Sequence, residues 1–359
     1  MRVLLLTKYS RMGASSRLRS LQYLPYLESV GLDIITKPLF DDDYLEALYV
    51  QSRRSFFKVF WQYAKRLLVL LRCSTFDVIW IEKELFPYFP AFFERLLTFF
   101  GKPYVVDYDD AVFHNYDLSG NFVVRLLLSK KIDVVMRKSR LVIAGNNYLA
   151  SRARLAGANE IAIIPTVVDA SRYRLKTVLP ERPLIIGWIG SPSTEHYIVN
   201  LCDVLSDIYD RFGTKLLLVG ARPEIVDSLP GCDVEVAPWS EETEVEQICK
   251  MDIGIMPLSD GPWEKGKCGY KLIQYMACGV PVIASSVGVN AEIVNASESG
   301  LLADDDEGWS EALGMLLDSE QKRSTFGAQG RKAVMSTYSL DVQGASLRDA
   351  LLSIQVLTR

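Results

Sequence analysis

The sequence predicts an α/β chain with two doubly wound parallel-sheet domains, and three observations point there. Short Val/Ile/Leu-rich runs alternate with stretches of helical periodicity, the pattern of strands buried on both faces and joined by helical crossovers. The alternation stops in a polar, proline-broken segment, Thr166–Pro183, and then restarts. The 359 residues, 49% of them hydrophobic, suffice for two cores of about 150–180 residues each. The expected division is 1–165, 166–337 and a C-terminal amphipathic helix over 338–359 that can cross back to the first domain.

In the first domain, strands are expected at Val3–Thr7, Leu32–Thr36, Val78–Glu82, Tyr104–Asp107, Arg140–Ala144 and Ile161–Ile164. Periodicity predicts helices over Arg17–Val30, ended by Gly31, over Tyr44–Arg72 as one or two long elements, and over Phe92–Phe100, Asn121–Met136 and Asn147–Leu155. In the second domain, strands are expected at Leu184–Gly190, Lys215–Val219, Val234–Val236, Ile253–Pro257 and Val280–Ala284. Helices follow the first of these to about Arg211 and cover Glu242–Lys250, Gly269–Met276 and Glu307–Asp318, while Leu301–Leu302 reads only as a short apolar pair.

Composition excludes several classes. A net charge of −4 on a mixed-sign surface gives no nucleic-acid footprint. Arg53–Arg54 and Lys130–Lys131 read as solvated helix faces. The six cysteines are scattered without Cys-x-x-Cys spacing, and Cys249 and Cys278 read as core fillers, as in a reducing compartment. Two distant histidines, His114 and His196, leave no multi-histidine metal site. Met1–Lys8 reads as a first buried strand rather than a leader, and no apolar run reaches the roughly 18 residues of a spanning helix.

In parallel sheets, ligands sit beyond the carboxyl ends of the strands, near helix N-termini. Two loops fit. Lys8–Arg17 carries Gly13 for close backbone approach, with Ser15 or Ser16 to cap the following helix. Gly187–Glu195 offers Gly190 and Ser191, with Ser193 or Thr194 as cap and free N–H groups suited to a diphosphate. The alternative in each case is an ordinary capping turn. The richest stretch is Trp263–Ser285, a basic glycine loop entering a helix. Lys267 and Lys271, four apart, share a face if both are helical, and suit a dianionic leaving group. Tyr270 opens that helix, and Gln274 offers an amide for ribose hydroxyls. Asp107, Asp109 and Asp110 crowd the end of a strand, where like charges need partners; Asp109 and Asp110 are candidate acceptor-binding or acid/base groups.

The segment Gln274–Ser285, with Gly279-Val280-Pro281-Val282-Ile283-Ala284-Ser285 at its end, resembles the marker of family 4 retaining glycosyltransferases. Ile164–Asp169 and Ser299–Leu302 support the resemblance, which spans essentially the whole chain. It implies the GT-B architecture, two facing Rossmann-like domains with a nucleotide-sugar cleft between them. It implies a nucleotide-diphosphate sugar donor held mainly by the second domain, with Trp239 near the base, and transfer with retention to a glycan or lipid-linked glycan acceptor. No metal or other cofactor is implied. The family's paired glutamates fall on Gly266 and Gln274 here, and its first-domain histidine falls on Asp109. Glu264 is a candidate replacement for the first glutamate. The rival readings are a sugar-nucleotide 2-epimerase and an inactive binding subunit of a polysaccharide complex.

Members of this kind act in cell-envelope or exopolysaccharide assembly, which implies a cytoplasmic enzyme peripheral at the inner face of the membrane. Two aromatic stretches, Phe56–Arg72 and Leu85–Phe100, either line the domain core or meet an anionic lipid surface, with Lys58, Lys65 and Arg66 as the contacting charges in the second case.

Overall fold

The computed structural model describes residues 1–49, 56–177 and 183–356; Arg53–Arg54 and the expected break at Pro180 lie outside them. The chain divides into two compact units. The first comprises Met1–Thr166, Gly266–Cys268 and Leu340–Arg359; the second comprises Val167–Lys265 and Gly269–Ser339.

The first unit is built on a six-stranded parallel sheet of β1 (Arg2–Leu6), β2 (Asp33–Thr36), β3 (Val78–Glu82), β4 (Tyr104–Tyr108), β5 (Leu141–Ala144) and β6 (Ile161–Ile163), in the order β2-β1-β3-β4-β5-β6. Val3 sits between Ile34 and Val78 in register. Leu4, Leu6, Ile79, Ile81 and Val106 join one hydrophobic cluster, while Val3, Leu5, Trp80 and Val105 are buried on the other face. Burial on both faces explains why these strands read as unbroken apolar runs. Each such side chain contributes about 1.5–3 kcal/mol. The helix Leu340–Val356 packs on the helix Leu24–Ser29, burying Leu347, Leu351 and Ile354.

The second unit repeats the plan with β7 (Ile185–Ile189), β8 (Lys215–Val219), β9 (Asp233–Ala237), β10 (Ile253–Met256), β11 (Val282–Ala284) and β12 (Gly300–Leu302), ordered β12-β11-β10-β7-β8-β9 and parallel throughout. Leu216 and Leu218 enter one core, Leu217 and Val219 the other, as the two-residue period of a strand requires.

Several elements differ from expectation. The helix expected over Arg17–Val30 is three pieces, Ala14–Arg19, a 3₁₀ turn Leu21–Tyr23 and Leu24–Ser29, because Pro25 has no N–H to continue the ladder. The helix expected over Asn121–Met136 is two, Phe122–Leu128 and Lys131–Lys138. Lys131 is not on a solvated face: its ammonium is buried against Glu84 and Phe86 O. Leu301–Leu302 belongs to a true strand, paired to Val282–Ala284. Among the described residues, no helix is long and apolar enough to cross a membrane.

Candidate functional site

In an open parallel sheet the natural ligand crevice lies where the strand order reverses, beyond the strands' carboxyl ends. In the first unit that point falls between β1 and β3; in the second it falls between β7 and β10. Each unit places a cluster of candidate residues there.

In the first unit the loop after β1 turns into the helix Ala14–Arg19, with Gly13 at its N-cap. Neither Ser15 nor Ser16 caps it. Ser15 Oγ donates instead to Asp109 Oδ2 (2.6 Å), and Ser16 Oγ donates to Glu82 Oε2, which also accepts Lys8 N–H (2.8 Å). The turn after β3 brings in a residue that sequence reasoning missed, Lys83. It is buried, with φ of 64°, and its Nζ stands 2.8 Å from Asp109 Oδ1 and 3.6 Å from Asp110 Oδ2. Deeper still, Arg19 Nε donates to Asp107 Oδ1 (2.9 Å) and its other arm to Ile164 O (2.8 Å). The available signal was the run Glu82-Lys83-Glu84 closing an otherwise apolar strand.

These contacts separate the three acids. Burial opposes the charge of Asp109, but Lys83 and the Ser15 hydroxyl outweigh it and hold the carboxyl below its usual range. Asp110 is pushed up, by burial first and by the Asp109 charge next. Burial raises Asp107 to about 6 against the pull of Arg19. Asp109, the favoured catalytic candidate in the sequence, is thus held on both oxygens; Asp110 is the more exposed carboxylate of the pair. His114 is structural, its ring nitrogens engaged by Asp117 (2.8 Å) and the Tyr148 hydroxyl (2.9 Å).

The loop Gly266–Cys268 belongs to this unit. Asn146 Nδ2 donates to Gly266 O (3.0 Å) and Lys267 O (2.8 Å). A Cβ at position 266 would lie 2.4 Å from Ala111 Cβ and 2.7 Å from Ala111 N, so a glutamate there requires the backbone to move. The Lys267 charge acts on Asp110. Because the helix begins only at Tyr270, after Gly269 in the left-handed region, Lys267 and Lys271 do not share a helical face.

In the second unit, three loops converge. A Cβ at Gly190 would meet the Trp188 ring at 2.2 Å and Lys271 Nζ at 2.8 Å. Lys271 Nζ lies 4.3 Å from the Trp188 ring centroid, a cation–π placement. Gly220, at φ of 83°, packs against Gly190 O and Trp239. Ser191 occupies the N-cap of the 3₁₀ turn Pro192–Thr194, its N–H donating to Thr194 Oγ1 (3.4 Å) and its hydroxyl pairing with that of Ser193 (2.9 Å).

Trp239, partly exposed, is oriented by a buried acid absent from the sequence reading. Glu244 accepts from Trp239 Nε1 (3.0 Å), from the Tyr173 hydroxyl (2.9 Å) and from Gln274 Nε2 (3.1 Å). Gln274 Nε2 also donates to the Tyr173 hydroxyl (3.1 Å), which hydrogen-bonds Tyr270. The amide expected to meet ribose hydroxyls is therefore buried in an internal network. Glu264, on the short helix Pro262–Lys265, accepts from the Tyr197 hydroxyl (2.5 Å).

Comparison with known proteins bears on both units. Residues 183–319 match the family model described as glycosyl transferases group 1. The chain is 27% identical over 177 residues to N-acetyl-alpha-D-glucosaminyl L-malate synthase of Bacillus anthracis, covering 47% of this chain and 45% of that one. It is 33% identical over 113 residues to a GDP-mannose-dependent monoacylated alpha-(1-6)-phosphatidylinositol monomannoside mannosyltransferase of Corynebacterium glutamicum, covering 30% and 29%. The matches thus span less than half the length of either relative. Among solved structures, sucrose-phosphate synthase of Thermosynechococcus elongatus superposes with a TM-score of 0.75 at 15% identity over 99% of this chain and 100% of that one. Anabaena HepE in complex with UDP-glucose gives 0.73 at 15% over 98% and 100%. Residues 183–319 are thus similar to the group 1 glycosyl transferases, and the fold of the chain is GT-B.

Proposed function

We propose that this chain is a retaining glycosyltransferase that moves a sugar from a nucleotide-diphosphate sugar to a glycan or lipid-linked glycan acceptor. Its setting is cell-envelope or exopolysaccharide assembly, at the inner face of the membrane. The observation that carries the reading is the placement of Lys271 Nζ against Trp188 and Gly190 at the strand-order reversal of the second unit, beside the Gly220–Trp239 wall. A fixed cation there suits a leaving diphosphate, a glycine lets phosphate oxygens approach the backbone, and an indole held by Glu244 suits a base. The donor belongs to the second unit. The acceptor belongs to the first, with Asp110 holding its hydroxyl, Asp109 kept charged by Lys83, and Lys267 adding positive charge.

The test is a panel of uridine, guanosine and adenosine diphosphate sugars against the pure protein. One donor at about a hundred times its Kd is expected to stabilise the fold by about 2.7 kcal/mol in a thermal shift assay. No stabilisation by any donor counts against an enzyme of this class. Stabilisation without transfer to any acceptor favours an inactive binding subunit, and release of free epimerised sugar favours a 2-epimerase.

The two acids separate by experiment. Asp110→Asn is expected to lower kcat/KM for the acceptor about tenfold, the loss of one charged hydrogen bond, and to leave donor affinity unchanged. Asp109→Asn acts mainly on Tm. Unchanged acceptor kinetics in Asp110→Asn remove that residue from the site.

A further inference from the structure

Cys249 and Cys278 meet at the ends of two neighbouring helices of the second unit, and the candidate site uses neither. Cys249 lies in the last turn of the helix Glu244–Lys250, and Cys278 is the C-cap of the helix Tyr270–Ala277. Cys278 is fully buried in a core of the second unit, and half-buried Cys249 packs against that core. The two thiols hydrogen-bond each other. The same helices are already joined where Glu244 accepts from Gln274 (3.1 Å). The cysteines stand about one turn beyond that contact on each helix, so they meet in a register that the fold has fixed.

The surroundings favour a sulfur anion at Cys249 alone. The segment Arg174–Lys176 crosses both residues: Cys249 Sγ lies 3.6 Å from Arg174 O, and Lys176 N–H donates to Cys278 O (2.9 Å). The Cys278 S–H, donating to the Cys249 sulfur, lowers that thiol to about 6; burial works against this, and the Arg174 guanidinium and Lys176 work with it. Cys278 is pushed up, by that hydrogen bond first and by burial next. A half-buried, acidic thiol beside a buried, protonated one is the arrangement of an attacking and a resolving sulfur.

The other four cysteines supply the contrast. Cys202 and Cys232 also lie near each other, but burial raises both, Cys232 to about 11, and the charged side chains acting on them are Asp203 and Asp210. Burial likewise raises Cys73 and Cys268.

We propose that Cys249 and Cys278 form a peroxide-reactive dithiol, in which Cys249 takes the oxidant and Cys278 closes a disulfide onto it. The Cys249 thiolate attacks one oxygen of hydrogen peroxide: an S–O bond forms, the O–O bond breaks, and the leaving hydroxide picks up the proton that the thiol gave up. Cys278 sulfur then attacks Cys249 sulfur. The S–S bond forms, the S–O bond breaks, and the Cys278 proton leaves with that oxygen as a second water. Two thiols lose two electrons, and the peroxide bond takes them up. The bridge would tie the helix of Glu244 to the helix of Gln274. The proposal stands independently of the transferase reading.

The experiment treats the reduced, intact chain with a small excess of hydrogen peroxide, blocks remaining thiols, digests without reductant and reads the peptides by mass spectrometry. The expected product is the Cys249 peptide joined to the Cys278 peptide, formed about tenfold faster than any other thiol is lost. Cys278→Ser is expected to stop at the sulfenic acid of Cys249, trapped by dimedone, and Cys249→Ser to leave Cys278 reduced. Arg174→Gln alters an exposed side chain and slows the reaction about threefold at pH 6. Thermal unfolding of the reduced variants checks their fold, and the parent measurement decides without any substitution. Three results overturn the proposal: a Cys202–Cys232 bridge that forms as fast, oxidation of Cys249 in the parent protein without a bridge to Cys278, or dimedone labelling of Cys278 in Cys249→Ser at the rate seen for Cys249.

Discussion

Lys271→Ala is expected to lower kcat/KM for the donor by about 10²–10³, the cost of removing one preorganised charge from a developing anion. The size follows from placement. Lys271 Nζ is held 4.3 Å from the Trp188 ring centroid and against the Gly190 backbone, so it needs little reorganisation as charge grows on a leaving diphosphate. Trp188 is fully buried, which keeps that side of the ammonium away from water and strengthens its field. The loss belongs chiefly in kcat, because the diphosphate gains charge in the transition state. Lys271→Arg restores part of it, since the charge remains but the guanidinium is a larger, differently shaped group. Gly190→Ala provides an independent arm. Its methyl group would collide with Trp188 and crowd Lys271 Nζ, so it lowers activity with the lysine still present. Steady-state kinetics with saturating acceptor, paired with thermal unfolding, decide the matter. If Lys271→Ala turns over like the parent protein at equal Tm, the leaving-group role is removed.

The strands were legible for a physical reason. Parallel strands covered on both faces must be short and apolar, so Val78–Glu82 and Lys215–Val219 could be bounded to the residue. The helices were less legible where a local break had to be weighed against long periodicity, as at Pro25 and between Leu128 and Lys131. β12 was hidden because three residues, Gly300–Leu302, gain strand character from pairing with β11 rather than from their own pattern.

The candidate site divides similarly. Gly190 and Lys271 stood out because glycine at a strand end and lysine near a helix start are local signals, and the fold brings them together. What stayed hidden depends on partners far along the chain. Lys83 meets Asp109, Arg19 meets Asp107, and Glu244 meets Trp239 and Gln274. Arg66 shows the same limit: its position in a basic aromatic helix suggests surface, yet two carbonyls from the β1 and β2 ends draw it inside. Gly266 is explained by the close approach of Ala111, side chain and backbone together.

Lys83→Met is expected to destabilise the first unit by about 3–5 kcal/mol near neutral pH, the cost of removing one partner from a buried ion pair. Lys83 and Asp109 keep only 8% and 14% of their side-chain surface in water, so solvent cannot replace the lost contact. The backbone adds a check. Lys83 sits at φ of 64°, a conformation that costs an L-residue about 1–2 kcal/mol, so Lys83→Gly relieves strain while losing the charge. If the ion pair dominates, Lys83→Gly is still less stable than the parent protein. The pH dependence has a definite sign. In the parent protein the Asp109 carboxyl is lowered, so its stabilisation is present above the unfolded value of about 3.9 and lost as pH falls through the still lower folded value. Without Lys83, burial raises that carboxyl instead, and the variant is relatively most stable when Asp109 is protonated. The gap in Tm between parent and Lys83→Met is therefore wide at pH 7 and closes toward pH 3. A gap that stays constant across that range assigns the effect to lost packing, and the charge assignment of the Lys83–Asp109 cluster fails.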